Sequence, residues 1–237
     1  ISEVVRGALD AWMKGQVAHQ EDDLQEDDLQ EDELQADARD WLNPHRIDVT
    51  PGKPLTLEAV RAVLACPPSA RLCEQYEDIG SSYAAEGTDA HTLGEYKLKT
   101  ALGIRAKDPT AHLTYYSEEM NDCATGYAAY IMELVETAKQ TCADPVVLIE
   151  QRLDFSKYVE GGFGTGDCVI IADGRLHIVD YKHGQGVLVE SEDNPQMKLY
   201  ALGALELFDG IYDIDTVSMT VYQPRRDNIS THTVFKE

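Results

Sequence analysis

The chain has 237 residues, 43% of them hydrophobic, and a formal net charge of −23 from 43 acids against 20 Lys and Arg. That length can enclose one sizeable α/β core with an appendage, and no run approaches the roughly 18 uncharged apolar residues of a membrane span. Bulk charge of this sign excludes general electrostatic attraction to nucleic acid, so any contact with DNA must rest on local basic groups and bound cations.

The opening ISEVVRGALDAWMKG lacks a basic start followed by an apolar stretch and makes a poor signal peptide. Next comes EDDLQEDDLQEDELQ, residues 21–35, a five-residue unit repeated three times. Its leucines step by about 140° on a helix and form no continuous stripe. The segment reads as a solvated acidic helix or tether. It holds nine acids, and without them the balance is still −14. A DNA-mimicking role for these acids is the weakest of the functional readings. Pro44, Pro51 and Pro54 then punctuate the chain. They divide a 1–50 acidic, helical or flexible appendage from a 51–237 globular domain.

Within that domain LTLEAVRAVLACPPSARL reads as a helix ending before Pro67, with a second short helix through Arg71 and Leu72. EGTDAHTLGEYKLKTAL predicts a helix from Thr88, as N-cap, to about Leu102. SEEMNDCATGYAAYIMELVETAKQ predicts a longer amphipathic helix, with Met120, Cys123, Tyr127, Tyr130, Ile131 and Leu134 at three-to-four spacing. PVVLIEQRLDF is short and β-branched, a strand from Val146 to about Leu153. After the hairpin described below, NPQMKLYALGALELF predicts a helix with Asn194 as N-cap and Pro195 at its first position. TVSMTVYQ and NISTHTVF close the chain as two strands around PRRD. The order implies an α/β fold: a mixed central sheet with flanking helices.

The hairpin GTGDCVIIADGRLHIVDYKHG, residues 164–184, carries the chemistry. Asp173-Gly174 between apolar runs signals a two-residue type I′ turn. Ala172 then faces Arg175, and the same register sets Asp167 opposite Asp180, with Cβ atoms about 4.5–5.5 Å apart. Lys182 points to the face of Asp180. Two facing acids in an otherwise apolar hairpin repel. Either one takes up a proton, or Lys182 pairs with one, or a divalent cation binds between them. Hard oxygen ligands suit Mg²⁺ or Mn²⁺.

Gly166-Asp167 followed by Asp180-Tyr181-Lys182 resembles the PD-(D/E)XK nuclease superfamily, and its RecB-like branch in particular. His91 in EGTDAHTL and the Gln196-to-Tyr200 spacing in QMKLY resemble two further motifs of that branch. The ACPPSARL, EGTDAH and DYKHG-to-NPQMKLYALGAL wording is similar to phage-encoded proteins of this kind. The resemblance covers roughly residues 55 to 235. It implies a restriction-endonuclease-like core and a metal-dependent DNA nuclease, exonuclease rather than endonuclease. It also implies Mg²⁺ or Mn²⁺ held by His91, Asp167, Asp180 and the Tyr181 backbone carbonyl. Lys182 would orient or help deprotonate the attacking water, or neutralise the transition state. Gln196 and Tyr200, one helical turn apart, would contact DNA or brace the site. Glu150, Glu86 and Glu95 are lesser candidates for metal contacts. Arg225, Arg226, Lys97, Lys99, Arg105, Lys107 and Lys198 are candidate phosphate contacts. The alternative is a nuclease fold kept as a weak or inactive DNA-binding module in a phage recombination or packaging assembly.

Other signals carry less. GGFGTG, residues 161–166, lacks the Gly-Lys-Ser/Thr of a phosphate loop and enters a strand. Cys66, Cys73, Cys123, Cys142 and Cys168 are scattered and odd in number, without a CxxC pair. They imply a reducing, cytoplasmic setting without a disulfide framework. Cys66 resembles the first cysteine of an iron–sulfur staple found in some members of the branch. The other ligands are missing before Glu237, so no cluster is expected in this chain.

Overall fold

The structure, a computed structural model, describes residues 9–10, 81–159 and 162–236. The acidic repeat, the proline-marked boundary near residue 50 and the segment around Cys66 lie outside those residues.

Helix α1 spans Ser82–Ala101 and α2 spans Glu118–Ala138. Strands β1 (Val146–Asp154), β2 (Phe163–Ala172) and β3 (Arg175–Tyr181) follow, then α3 (Pro195–Tyr212), β4 (Thr216–Gln223) and β5 (Asn228–Phe235). The sheet order is β1-β2-β3-β4-β5, antiparallel except for the parallel β3–β4 pair that α3 connects. The fold is therefore mixed α/β, with a five-stranded mixed sheet flanked by helices.

Each element ends where its chemistry dictates. The Ser117 hydroxyl accepts the Met120 N–H at the start of α2. The Asn194 side chain accepts the Gln196 and Met197 N–H groups ahead of Pro195 at the start of α3. Helix α1 starts six residues before the expected Thr88, because the Ser81 hydroxyl accepts the Ala84 N–H and caps it there. Thr88 lies inside the helix, and its hydroxyl donates to the Ala84 carbonyl. The β2–β3 turn takes positive φ at Asp173 (51°) and Gly174 (72°), and Ala172 faces Arg175 as expected.

The sheet separates two cores. Helix α3 covers one face, against Val169, Ile171, Leu176, Ile178 and Met219. Helices α1 and α2 cover the other, against Cys168, Ile170, Val179 and Tyr181. Burial on both faces explains why β2 and β3 read as nearly unbroken apolar runs.

The alternation of faces slips once in each of the first two strands. Leu148 and Leu153 both pack toward α3 although they are five residues apart. A Cβ placed on Gly166 would lie 3.1 Å from Leu153 and 3.5 Å from Val169, so Gly166 and Val169 also share that face, three residues apart. Strict alternation puts odd spacings on opposite faces. Ladder pairs Ile149↔Cys168 and Gln151↔Gly166 bracket the slip at Glu150 and Asp167. Glu150 has φ +52° there, a conformation that side chains with a Cβ rarely adopt.

Candidate metal centre

The slip sends two carboxylates to the α1 side of the sheet. One ligand atom each from His91, Glu150 and Asp167 lies within 4.8 Å of the others. His91 comes from α1, Glu150 from β1 and Asp167 from β2. Its Nδ1 is 3.0 Å from Asp167 Oδ1, while Asp167 Oδ2 accepts the Tyr181 backbone N–H at 2.6 Å. One imidazole and two carboxylates make a mixed donor set for a divalent cation, and the spacing is close to the ~4.2 Å that two bonds near 2.1 Å span.

Asp167 perturbs the titration of the other two groups. Burial would lower the pKa of the His91 imidazole, but the charge and hydrogen bond of Asp167 outweigh it and hold it at about 9. The Glu150 carboxyl is lifted to about 7, first by desolvation and then by the Asp167 charge. A protonated His91 and a half-protonated Glu150 thus offset the Asp167 charge.

Asp180 belongs to a second, adjoining network. It is 2% exposed, and Lys182 Nζ lies 2.9 Å from its Oδ2 and 3.1 Å from its Oδ1. Gln196 Nε2 donates to the same Oδ1 at 2.9 Å and to the Tyr200 hydroxyl at 3.1 Å. Burial raises the Asp180 carboxyl, Lys182 opposes that, and Asp167 adds to it. Of the three ways expected to relieve the facing acids, pairing with Lys182 serves Asp180. Asp167 is served by His91.

Several sequence expectations change in detail. Asp180 is not in the trio of converging ligand atoms, and Glu150, ranked lower from sequence, is. The Tyr181 backbone N–H, beside the carbonyl expected as a metal ligand, donates to Asp167. Gln196 and Tyr200 are 4% and 5% exposed, and the contacts they make are the bracing ones to Asp180 and to each other. A Cβ on Gly164 would lie 2.4 Å from Tyr200 Cε1, so this glycine lets the Tyr200 ring lie under β2.

Glu86, Glu95, Arg225 and Lys198 are engaged elsewhere. Glu86 accepts Arg225 Nη1 at 2.9 Å, and Glu95 pairs with Lys99 one turn along α1. Arg225 also donates to both oxygens of Glu119, which takes it out of the set of free phosphate contacts. Lys198 pairs with Asp193. Lys97 is half-buried, and Arg105, Lys107 and Arg226 are exposed.

His183 was missed by sequence reasoning. It is 4% exposed, with Nδ1 3.2 Å from the Tyr181 hydroxyl and Nε2 3.7 Å from Glu86. The Tyr181 ring stacks on Tyr127 with centroids 4.9 Å apart and lies 5.5 Å from the His91 ring. This aromatic layer packs against the His91 ring. The tyrosines of α2 and β4 signalled a core face, and nothing in their spacing linked them to His91.

Residues 59–237 match the family model described as "Protein of unknown function (DUF2800)", and the chain belongs to that family. Among solved structures it is similar to one titled "Crystal structure of SSO0001", at 13% identity and a TM-score of 0.22. That match covers 61% of this chain and 76% of the other, and is too slight to bear on function. No described helix is long and apolar enough to cross a membrane.

Proposed function

We propose that the chain is a Mg²⁺- or Mn²⁺-dependent DNA nuclease of the RecB-like branch of the PD-(D/E)XK superfamily. In this reading it is an exonuclease hydrolysing phosphodiester bonds, acting in the cytoplasm alongside phage or recombination proteins. The observation that carries the reading is the convergence of His91, Glu150 and Asp167 beside the buried Asp180–Lys182 pair. The strand order supports it: an antiparallel meander presents both aspartates at one end, and a crossover helix supplies the glutamine that fixes one of them.

His91, Glu150 and Asp167 would hold the ion, with Asp180 at its edge. When bound, a divalent ion supplies Lewis-acid polarisation of the phosphate and of an attacking water. In this reading Lys182 acts on the proton or on developing charge; its ammonium is partly exposed and lies 2.9 Å from Asp180. Gln196 and Tyr200 keep Asp180 fixed while that happens, and Tyr181 fixes Asp167 through its backbone N–H.

One observation favours the second reading, a weak or inactive DNA-binding module: Lys182 is tied to Asp180 instead of standing free. Incubation with end-labelled linear and circular DNA in Mg²⁺ or Mn²⁺ separates the two. Degradation of at least the linear form, lost in Asp180→Asn and Lys182→Gln, is the expected result. Asn keeps the acceptor for Gln196, so loss of activity there reports charge and not collapse. Absence of wild-type activity with either metal, with DNA binding retained, would leave the module.

A further inference from the structure

Strand β5 is one edge of the sheet and β1 is the other. The two edges are built differently. β1 carries Glu150 at φ +52°, then Arg152 and Asp154, and a kink with charges beside it resists pairing with a further strand. β5 reads NISTHTVF, without an acid, lysine, arginine, proline or glycine, although 27% of the chain is charged. Large apolar side chains stand in water near both its ends: Ile229 is 54% exposed and Phe235 64%.

Hydrogen bonding decides which groups of β5 face outward. The Lys182 N–H donates to the Tyr222 carbonyl, so the even-numbered residues of β4 bond to β3 and the odd-numbered ones to β5. The Lys236 N–H donates to the Asp215 carbonyl in the same pattern, and the β4–β5 register gives the bonds to the even-numbered residues of β5. Ile229, Thr231, Thr233 and Phe235 therefore turn their backbone N–H and C=O groups away from β4, and their side chains share one face of the sheet. Thr220 holds the Thr231 hydroxyl on that face at 2.8 Å, and Ser218 holds that of Thr233 at 3.0 Å.

This strand is complementary to itself. Two copies paired antiparallel about a two-fold axis through His232 use all four outward residues. Ile229 then stands opposite Phe235 of the second copy and Thr231 opposite Thr233, and each facing pair exchanges both N–H···O bonds. Moving the axis along the strand leaves an outward residue without a facing one and parts the two apolar side chains. Aromatic with β-branched and threonine with threonine are both stabilising cross-strand pairs. The net charge of −23 opposes association, but β5 carries no acid, and salt at 0.15 M screens charges beyond about 8 Å. We infer that two copies of this chain join through β5, continuing the sheet from one copy into the next. His91, Glu150 and Asp167 lie on α1, β1 and β2, so this pairing is independent of what the candidate metal centre does.

Sedimentation velocity of the full chain, at about pH 8 and about 0.15 M NaCl, tests the pairing. Between about 1 and 100 µM the wild type should pass from monomer to dimer. Thr231→Pro removes an outward N–H and no bond to β4, and should weaken the dimer at least about tenfold. Ile229→Lys/Phe235→Lys sets like charges opposite each other and should weaken it as much. Ile229→Glu/Phe235→Lys sets unlike charges together in this register and should bind at least about tenfold more tightly than Ile229→Lys/Phe235→Lys. Thermal midpoints of dilute protein check that each variant folds. A chain that stays monomeric at about 100 µM, or a dimer that Thr231→Pro and Ile229→Lys/Phe235→Lys both leave intact, would overturn the pairing. Equal weakening in the two charged variants would overturn the register.

Discussion

Glu150 and Asp167 stand opposite each other at the point where β1 and β2 both change the face that their side chains present. Glu150 reaches that place only by adopting φ +52°. Such strain costs on the order of 1 kcal/mol in a residue with a Cβ, and glycine does not bear it. Glu150→Gly should therefore leave the fold as stable or raise its thermal midpoint by about 2–4 °C. It should also weaken Mn²⁺ binding at least about tenfold, because one ligand of the trio is lost. Calorimetry measures both. A destabilised variant with unchanged metal affinity would assign Glu150 to the fold alone.

Metal binding should release protons. The His91 imidazole titrates at about 9 because Asp167 stabilises its charged form, and Glu150 at about 7. A ligand imidazole must be neutral, so at pH 7 the ion displaces a proton from His91. Affinity for Mn²⁺ should climb roughly a hundredfold per pH unit below about pH 7, where Glu150 also holds a proton, then about tenfold per unit up to about pH 9, and then level off. Titration calorimetry in two buffers of different ionisation enthalpy counts the protons directly. His91→Gln should bind more weakly and with a flatter pH profile. An unaltered slope in that variant would place the proton elsewhere.

Gly164 ties the backbone of β2 to the brace under Asp180. An alanine there puts its Cβ 2.4 Å from Tyr200 Cε1, and the ring is 5% exposed with little room to swing. Gly164→Ala should cost about 1–3 kcal/mol by overpacking. Because Tyr200 must shift and Gln196 donates to both it and Asp180, activity should fall at least about tenfold as well. Tyr200→Phe keeps the ring, loses only the hydroxyl and should cost about 1 kcal/mol. Gly87→Ala, in open space on α1, is the control and should be neutral or stabilising by up to about 1 kcal/mol. Urea unfolding and nuclease rates on the three proteins give the comparison.

The hairpin was legible because its register follows from local chemistry. Asp173-Gly174 dictates the turn, the turn sets Ala172 against Arg175, and the rest of the pairing is counting. The capped helices and final strands were legible for the same reason. The His91, Glu150 and Asp167 trio was only half legible. His91 and Asp167, named together from the motifs, do meet, but counting from the turn gives Asp180 the third place, which Glu150 takes at the slip. A positive φ at a glutamate has no sequence signature, unlike one at Asn-Gly or Asp-Gly, so neither the slip nor the promotion of Glu150 could be read. The start of α1 was misplaced because Ser81 and Thr88 are both good caps, and it is Ser81 that caps the helix.

Stability at acid pH should depend on His177. Its Nε2 is 2.8 Å from Thr220 Oγ1, which lies 2.8 Å from Thr231 Oγ1, and burial holds the imidazole down to about 4. In the unfolded chain it titrates near 6.5. Between those values the unfolded chain binds a proton that the folded chain refuses, so stability falls as pH drops from 6.5 to 4 and levels off below. The loss should be on the order of 1–3 kcal/mol. His91 acts with the opposite sign in another window: its contribution is complete below 6.5 and is lost as pH rises through about 9. His177→Gln keeps a donor for Thr220 but cannot titrate. It should be less stable than wild type at pH 7.5, and the gap should shrink by most of that amount by pH 4.5. Urea unfolding at both pH values decides. A gap that stays constant would mean that His177 accepts its proton in the folded chain.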